Sequence, residues 1–188
     1  QHSQTLYSML TAVPGLKIVV PSNAADAKGL LIQAIRDDDP VVFFEHKALY
    51  PRKGEVPAAA YTIAFGEANL VRKGEDATIV AFARMVPFAE KALDALAQEG
   101  INCDLIDPRT TWPLDERTMV ESAKKTSRAI VIDEGYGRYG VTAEIASVIA
   151  DQAFYYLDAP VKRMGAMHVP IPFSPPLEDV TVPTERAV

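Results

Sequence analysis

Three groups of residues carry side chains that could do chemistry. The first is the histidine set, His2, His46 and His168. An imidazole can move a proton near neutral pH. Each of the three stands alone, however, and residue type by itself makes each more readily a structural or surface residue than a catalyst. The second group is the acidic turn Ala34–Ile35–Arg36–Asp37–Asp38–Asp39–Pro40. Its carboxylates fall at a predicted helix C-terminus, where free carbonyls and the negative dipole end disfavour them. A bound cation with oxygen ligands would relieve that repulsion. So would plain solvation and salt screening. The third group is the glycines Gly135, Gly137 and Gly140, spaced G-x-G-x-x-G after a predicted strand and ahead of a predicted helix. That spacing is part of a nicotinamide-dinucleotide fingerprint. The acidic residue that should end the following strand is missing, and Tyr136, Arg138 and Tyr139 crowd the loop. A tight turn ahead of a helix accounts for the cluster better. No GxSxG, HExxH, CxxC or phosphate-binding GxxxxGK[ST] motif occurs, so no self-sufficient catalytic motif is present.

Composition narrows the classes further. The net charge is -6, which argues against a nucleic-acid partner, since that needs concentrated basic surface. No run approaches the roughly 18 apolar residues of a membrane span, and no secretory signal pattern opens the chain. Cys103 is the single cysteine. It has no partner for a disulfide or a thiolate metal site, and it reads as a buried thiol of a cytoplasmic protein. The chain opens on Gln1, and residues 2–13 read as the middle of a domain, so a fragment of a longer protein is expected.

The elements that must position these residues follow from periodicity. Residues 3–12 suit a short helix ended by Pro14 and Gly15, and Leu16 to Val20 suits a buried strand. Ser22 or Asn23 can cap a helix with Asp26 in its first turn. Ala27, Leu30, Leu31, Ala34 and Ile35 form one apolar face of it. Val41 to Phe44 is a further strand. Residues 46–75 are broken by Pro51, Gly54 and Pro57, and a domain boundary is placed near residue 60. Beyond it, strands at Thr78–Phe82, Cys103–Ile106, Ala129–Ile132 and Val161–Met164 alternate with helices. The helices run from Val86 to Ala97, from about Asp115 to Lys125 and from Gly140 to Phe154. Such alternation implies βαβ units, hence an α/β fold with a mostly parallel sheet flanked by helices. Residues 169–188 are proline-rich and are predicted to be an irregular strap.

Several segments, taken together, resemble one family. They are Gln1–His2–Ser3–Gln4, Val13 to Ser22, Asp26 to Leu31, Ala34–Ile35–Arg36–Asp37 and Pro40 to Phe43. Later come Thr78–Ile79–Val80, Pro113–Leu114–Asp115, Asp133–Glu134–Gly135 and Pro170–Ile171–Pro172–Phe173. Their order and spacing resemble the E1 component β subunit of thiamine-diphosphate-dependent 2-oxo acid and acetoin dehydrogenase complexes, of the transketolase-like group. Leu30 to Lys47 and the stretch from Gly54 to Asn69 look most like acetoin dehydrogenase β subunits, with pyruvate and branched-chain 2-oxo acid enzymes as the alternative.

The resemblance implies that residues 1–60 end a pyrimidine-binding domain and that residues 61–188 form a transketolase C-terminal domain. It implies that acetoin is cleaved with thiamine diphosphate and the acyl unit passed to a lipoyl-acyltransferase. The cofactor and Mg²⁺ would be held by an α subunit and by residues upstream of Gln1, so no cofactor-binding residue is expected in this chain. His2 matches the family's active-site histidine with proton-transfer duties. Ala34, Ile35, Asp37 and Asp39 match a potassium site. The implied partners are an E1 α subunit, a second β subunit and the acyltransferase's peripheral-subunit-binding domain. The proline-rich tail and the terminal carboxylate of Val188 are candidates for that last contact. Alone, the chain is expected to be inactive and to serve assembly. A free-standing small-molecule-binding domain of flavodoxin-like form is a remote third reading, suggested only by the glycine cluster.

Overall fold

The computed structural model describes residues 3–188. Helix α1 (Tyr7–Thr11) precedes strand β1 (Lys17–Val19), helix α2 (Ala24–Arg36) and strand β2 (Val41–Phe43). A 3₁₀ turn at Lys47–Leu49 leads into irregular chain. Strands β3 (Asn69–Arg72) and β4 (Ala77–Ala81) then flow into α3 (Met85–Gln98), β5 (Cys103–Asp107) and β6 (Thr110–Trp112). Helix α4 (Glu116–Thr126), strand β7 (Ala129–Tyr136), helix α5 (Val141–Gln152), strand β8 (Lys162–Ala166) and helix α6 (Pro175–Thr181) complete the chain.

Two sheets result. The larger has the order β3-β5-β4-β7-β8, parallel throughout except for β3 at its edge. Its strands are apolar on both faces because helices cover both. Alternation within β4 divides the work: Val80 and Phe82 join Val131 and Ile106 beneath α4 and α5, while Ile79 and Ala81 join Leu105 and Ile132 beneath α3. Cys103 is buried on the α3 side as a free thiol.

The smaller sheet has the order β2-β1-β6. Strand β6 comes from the second half of the chain and pairs antiparallel with β1, Ile18 opposite Trp112. The residues before and after position 60 also share one core, in which Tyr7, Ile18 and Val20 pack with Val80, Phe82 and Ile106. Three short elements went unread in the sequence: β3, β6 and α6. The first two are edge or bridging strands of mixed polarity, with no continuous apolar run to mark them. The third corrects the expectation of an irregular tail. Pro175 and Pro176 occupy the first helical turn, where proline costs no hydrogen bond.

Helix α2 begins as anticipated, with the Asn23 side chain accepting from the Asp26 amide at 2.8 Å. Its apolar face is only half covered. Leu30 is fully buried, whereas Leu31 is exposed and Ile35 is 76% exposed. The residues around the expected boundary near position 60 clamp this helix. The Lys28 ammonium binds the carbonyls of Pro57, Ala58 and Ala59 at 2.5, 3.1 and 2.9 Å, and the Tyr61 hydroxyl donates to the Ala25 carbonyl at 2.6 Å. Gly29 makes room for the return, since a Cβ there would stand 2.7 Å from the Tyr61 ring.

A buried ion pair joins α2 to the β5–β6 turn. Arg109 grips Asp26 with two bonds, Nε to Oδ2 at 2.9 Å and Nη2 to Oδ1 at 2.6 Å. Arg109→Ala is therefore expected to leave the Asp26 carboxylate buried and uncompensated, costing about 3–5 kcal/mol. Arg128→Ala, which breaks an exposed pair with Asp158, is expected to change little. Urea unfolding of the two variants measures the contrast.

Candidate functional site

Ligand sites in parallel α/β sheets gather beyond the carboxyl ends of the strands, where neighbouring connections leave in opposite directions. From β4 the chain passes to β5 on one side, and β7 lies on the other. A cleft of about 440 Å³ opens there. Ser3, Gln4 and Thr5 form one wall, and Phe44 to Lys47 after β2 form another. Ala83 and Arg84 after β4 and Asp133 and Glu134 in β7 form its base, with Glu178 and Val182 of the α6 region at its edge.

Glu134 organises the base. One of its oxygens is bound by Arg84 at 2.8 Å and the other by His46 Nε2. The second imidazole nitrogen, Nδ1, accepts the Ala48 amide at 3.2 Å. An N–H pointing at Nδ1 places the ring proton on Nε2, facing Glu134. Both nitrogens are thus engaged, and the ring has none free to take a proton from a ligand. His46 therefore ties the end of β2 to β4 and β7; it is not an open base. The Arg84 guanidinium also lies 5.1 Å over the Phe88 ring, which fixes its plane.

Below this triad are two buried acids. Asp133 accepts the Tyr7 hydroxyl on one oxygen and the Gly135 amide at 2.9 Å on the other. Burial outweighs those bonds and pushes its pKa up to about 6. The Tyr7 phenol is raised well above its usual value, first by burial and then by Asp133. Asp107, at the end of β5, accepts the Ser22 hydroxyl and the Arg109 amide, and burial lifts it to about 6 as well.

The residues singled out in the sequence fall as follows. His2 lies outside the described residues, but Ser3, directly after it, lines the cleft. His46 enters the cleft by the pairing above. His168 meets Tyr136 edge to face at 5.4 Å, beyond the cleft. Gly140 caps α5, and a Cβ on it would stand 1.9 Å from the Tyr136 carbonyl oxygen. The cluster is thus a close-packed turn ahead of a helix. At the acidic turn, the Lys17 ammonium lies 2.7 Å from Asp37 and 2.9 Å from Asp39. That bond holds the Asp37 carboxyl below its ordinary range. The Ala34 carbonyl accepts the Asp37 amide, and the Ile35 side chain faces outward. Lys17 thus engages the carboxylates of Asp37 and Asp39. Among the described residues no group of three acidic, thiol or imidazole side chains could hold a metal ion. Arg84, Glu134 and Tyr7 escaped sequence reasoning because nothing local marks pairs that close only through the fold.

A larger groove of about 630 Å³ beside α3 is less suited to a ligand. Its cations Arg52, Arg72 and Lys91 are each paired, with Glu90, Asp94 and Glu185 at 2.8, 2.8 and 2.7 Å.

Comparison with known proteins places the chain. Residues 1–53 match the family model of the transketolase pyrimidine-binding domain, and residues 66–188 match that of the transketolase C-terminal domain. The β subunit of acetoin:2,6-dichlorophenolindophenol oxidoreductase of Bacillus subtilis is 50% identical over 184 residues, covering 98% of this chain and 54% of that protein. The Cupriavidus necator protein of the same name is 50% identical over 188 residues, covering 100% and 56%. The β subunit of the Rickettsia felis pyruvate dehydrogenase E1 component is 44% identical over 188 residues, covering 100% and 58%. The chain thus spans about half the length of the curated relatives it matches. A split-gene transketolase, solved as an inactive β4 tetramer, superposes with a TM-score of 0.67 at 24% identity over 87% of this chain and 52% of its own, which speaks to the fold alone.

The buried acids make stability depend on pH. Folding raises Asp107 and Asp133 from 3.8 to about 6, so it favours their protonated forms. That contribution is complete below pH 3.8 and lost as pH rises through 6. The depressed carboxyls Asp37, Asp104 and Asp115 act oppositely, but only as pH falls toward their lowered values. Between about pH 7.5 and 5 the two raised groups are therefore expected to add on the order of 1 kcal/mol each. Urea unfolding at the two pH values checks this, and Asp107→Asn is expected to remove about half of the gain.

Proposed function

The chain belongs to the transketolase C-terminal-domain family, with part of a transketolase pyrimidine-binding domain ahead of it, and on that premise we propose that it is the carboxy-terminal part of an acetoin dehydrogenase E1 β subunit. The observation that carries the reading is the position of the peptide after His2. Ser3, Gln4 and Thr5 form a wall of the cleft at the carboxyl ends of β4 and β7. A histidine directly ahead of that peptide in sequence suits proton transfer. The acetoin relatives share more identity than the pyruvate relative, 50% against 44%, which favours acetoin as the substrate.

In this reading thiamine diphosphate supplies the carbanion chemistry that cleaves acetoin beside its carbonyl. Its Mg²⁺ and diphosphate are assigned to an α subunit. The contributions of this chain are shape and charge. The His46–Glu134–Arg84 array closes the cleft base with its imidazole and carboxylate already paired. A potassium ion at the acidic turn would need ligands beyond Ala34, Ile35, Asp37 and Asp39, because Lys17 already occupies the carboxylates.

Alone, the chain serves assembly. Helix α6 and the residue before its cap present Phe173, Leu177 and Val180 to solvent, spaced at i, i+4 and i+7. Such a stripe suits a protein partner, either a second β subunit or the peripheral-subunit-binding domain of an acyltransferase.

The test is reconstitution. The complete β subunit, paired with an α subunit, is expected to bind thiamine diphosphate by calorimetry and to oxidise acetoin in preference to pyruvate and branched-chain 2-oxo acids. His2→Ala is expected to lower kcat by about 10²-fold or more. A complete subunit pair that neither binds thiamine nor oxidises any of these substrates would sink the reading.

A further inference from the structure

Helix α6 has two sides, and the reading above uses only the outer one. At about 100° per residue, Leu177 and Val180 fall on one side and Glu178 on the other. The exposures agree. Leu177 and Val180 are 57% and 72% exposed, whereas Glu178 is half-buried and lines the cleft together with Val182. Little holds the helix to the body. It buries no side chain. The Met167 amide donates to the Thr181 carbonyl at 2.8 Å, so residues 168–180 leave the body and return to it at one point. His168 rests on the Tyr136 ring beside that point. Among the described residues, no hydrogen bond or ion pair joins residues 170–180 to anything before Met167 or after Val182. The firm anchors come later, where Glu185 pairs with Lys91 at 2.7 Å and Val188 packs on the core beneath α3. A surface excursion with joined ends and few buried contacts opens at low cost.

The opposite wall of the cleft supplies a charge to meet it. Lys47 lines the cleft from the segment after β2. The other acids there are engaged: Glu45 accepts the Tyr50 hydroxyl at 3.1 Å, Glu134 is shared by Arg84 and His46, and Asp133 receives Tyr7. Lys47 and Glu178 are opposite charges on facing walls, and among the described residues neither is in an ion pair.

We propose that residues 168–180 are a lid on the cleft, pivoting where Met167 meets Thr181 and latched by Lys47 and Glu178 when shut. The two charges stand unpaired in this structure, which shows the lid open. The proposal rests on the function proposed above, in which acetoin reacts at the cleft, and adds how access to that cleft is controlled. Closing an active site expels water and strengthens the polar interactions inside it. An exposed ion pair is a weak tie that salt screens, so a latch of this kind reopens readily to release product.

Two measurements test this, and they fail separately. The first reads the motion and needs no activity. A disulfide forms only where two Cβ atoms come within about 4 Å of each other. In the 188-residue chain, Lys47→Cys combined with Glu178→Cys is expected to cross-link under mild oxidation about tenfold faster than Lys47→Cys combined with Leu177→Cys, whose thiol faces outward. Cys103 is buried and serves neither pair. Equal rates, or no cross-link in either variant, overturn the lid. The second reads the latch in the complete α–β enzyme. Glu178→Lys is expected to lower kcat/KM for acetoin about fivefold, and adding Lys47→Glu, which reverses the pair, is expected to restore it to within about twofold of wild type. A double variant no better than Glu178→Lys alone overturns the latch. If the wild-type complex shows no thiamine-dependent turnover, the proposed function falls, while the cross-linking rates still decide the lid.

Discussion

A carboxylate cannot be buried without donors, and Asp133 is the place where this constraint shapes the molecule. It lies 1% exposed near the end of the strand that carries the cleft base. Its donors are the amide of its own turn and the phenol of Tyr7, at the other end of the chain. Satisfying it therefore pulls α1 onto the large sheet. Once there, Tyr7 packs against Phe44 and Phe82 with ring centroids 5.6 and 6.2 Å away, and the first strands share a core with the later ones.

The same logic recurs at the other junctions. Asp26 is buried in the first turn of α2 and is met by Arg109 from the β5–β6 turn. Asp107 is buried at the end of β5 and is met by Ser22 beside β1. Glu134 draws His46 from the end of β2 and Arg84 from the start of α3. In each case except Arg84–Glu134, one partner comes from the first 60 residues and the other from the remainder. The polar pairs fix register and orientation, while the shared apolar core supplies the area that makes association favourable. The residual cost appears in the acids themselves, two of which are held near pH 6 by burial.

Function follows from where these junctions lie. Parallel strands direct their carboxyl ends to one edge, so turns from separate parts of the chain meet there. The cleft is the space they leave, and Ser3 to Thr5 border it. An engaged imidazole, a clamped glutamate and a planar arginine make a rigid, polar base.

The amino-acid sequence alone determined the elements with long periodic patterns. Helices α2 to α5 and strands β1, β2, β4, β5, β7 and β8 were all legible, because burial on one stripe or on both faces imposes a pattern within a dozen residues. The order and spacing of its short segments also determined the family. Tertiary structure alone decided the rest. The strands β3 (Asn-Leu-Val-Arg) and β6 (Thr-Thr-Trp) carry no continuous apolar run, and Ile35 lies on an apolar face that no described residue covers. The pairs Tyr7–Asp133, Asp26–Arg109 and His46–Glu134 leave no local mark, since a single acid, base or phenol looks the same whether it meets water or a partner 80 or more residues away. Only the fold, by closing those distances, distinguishes a buried anchor from a surface charge.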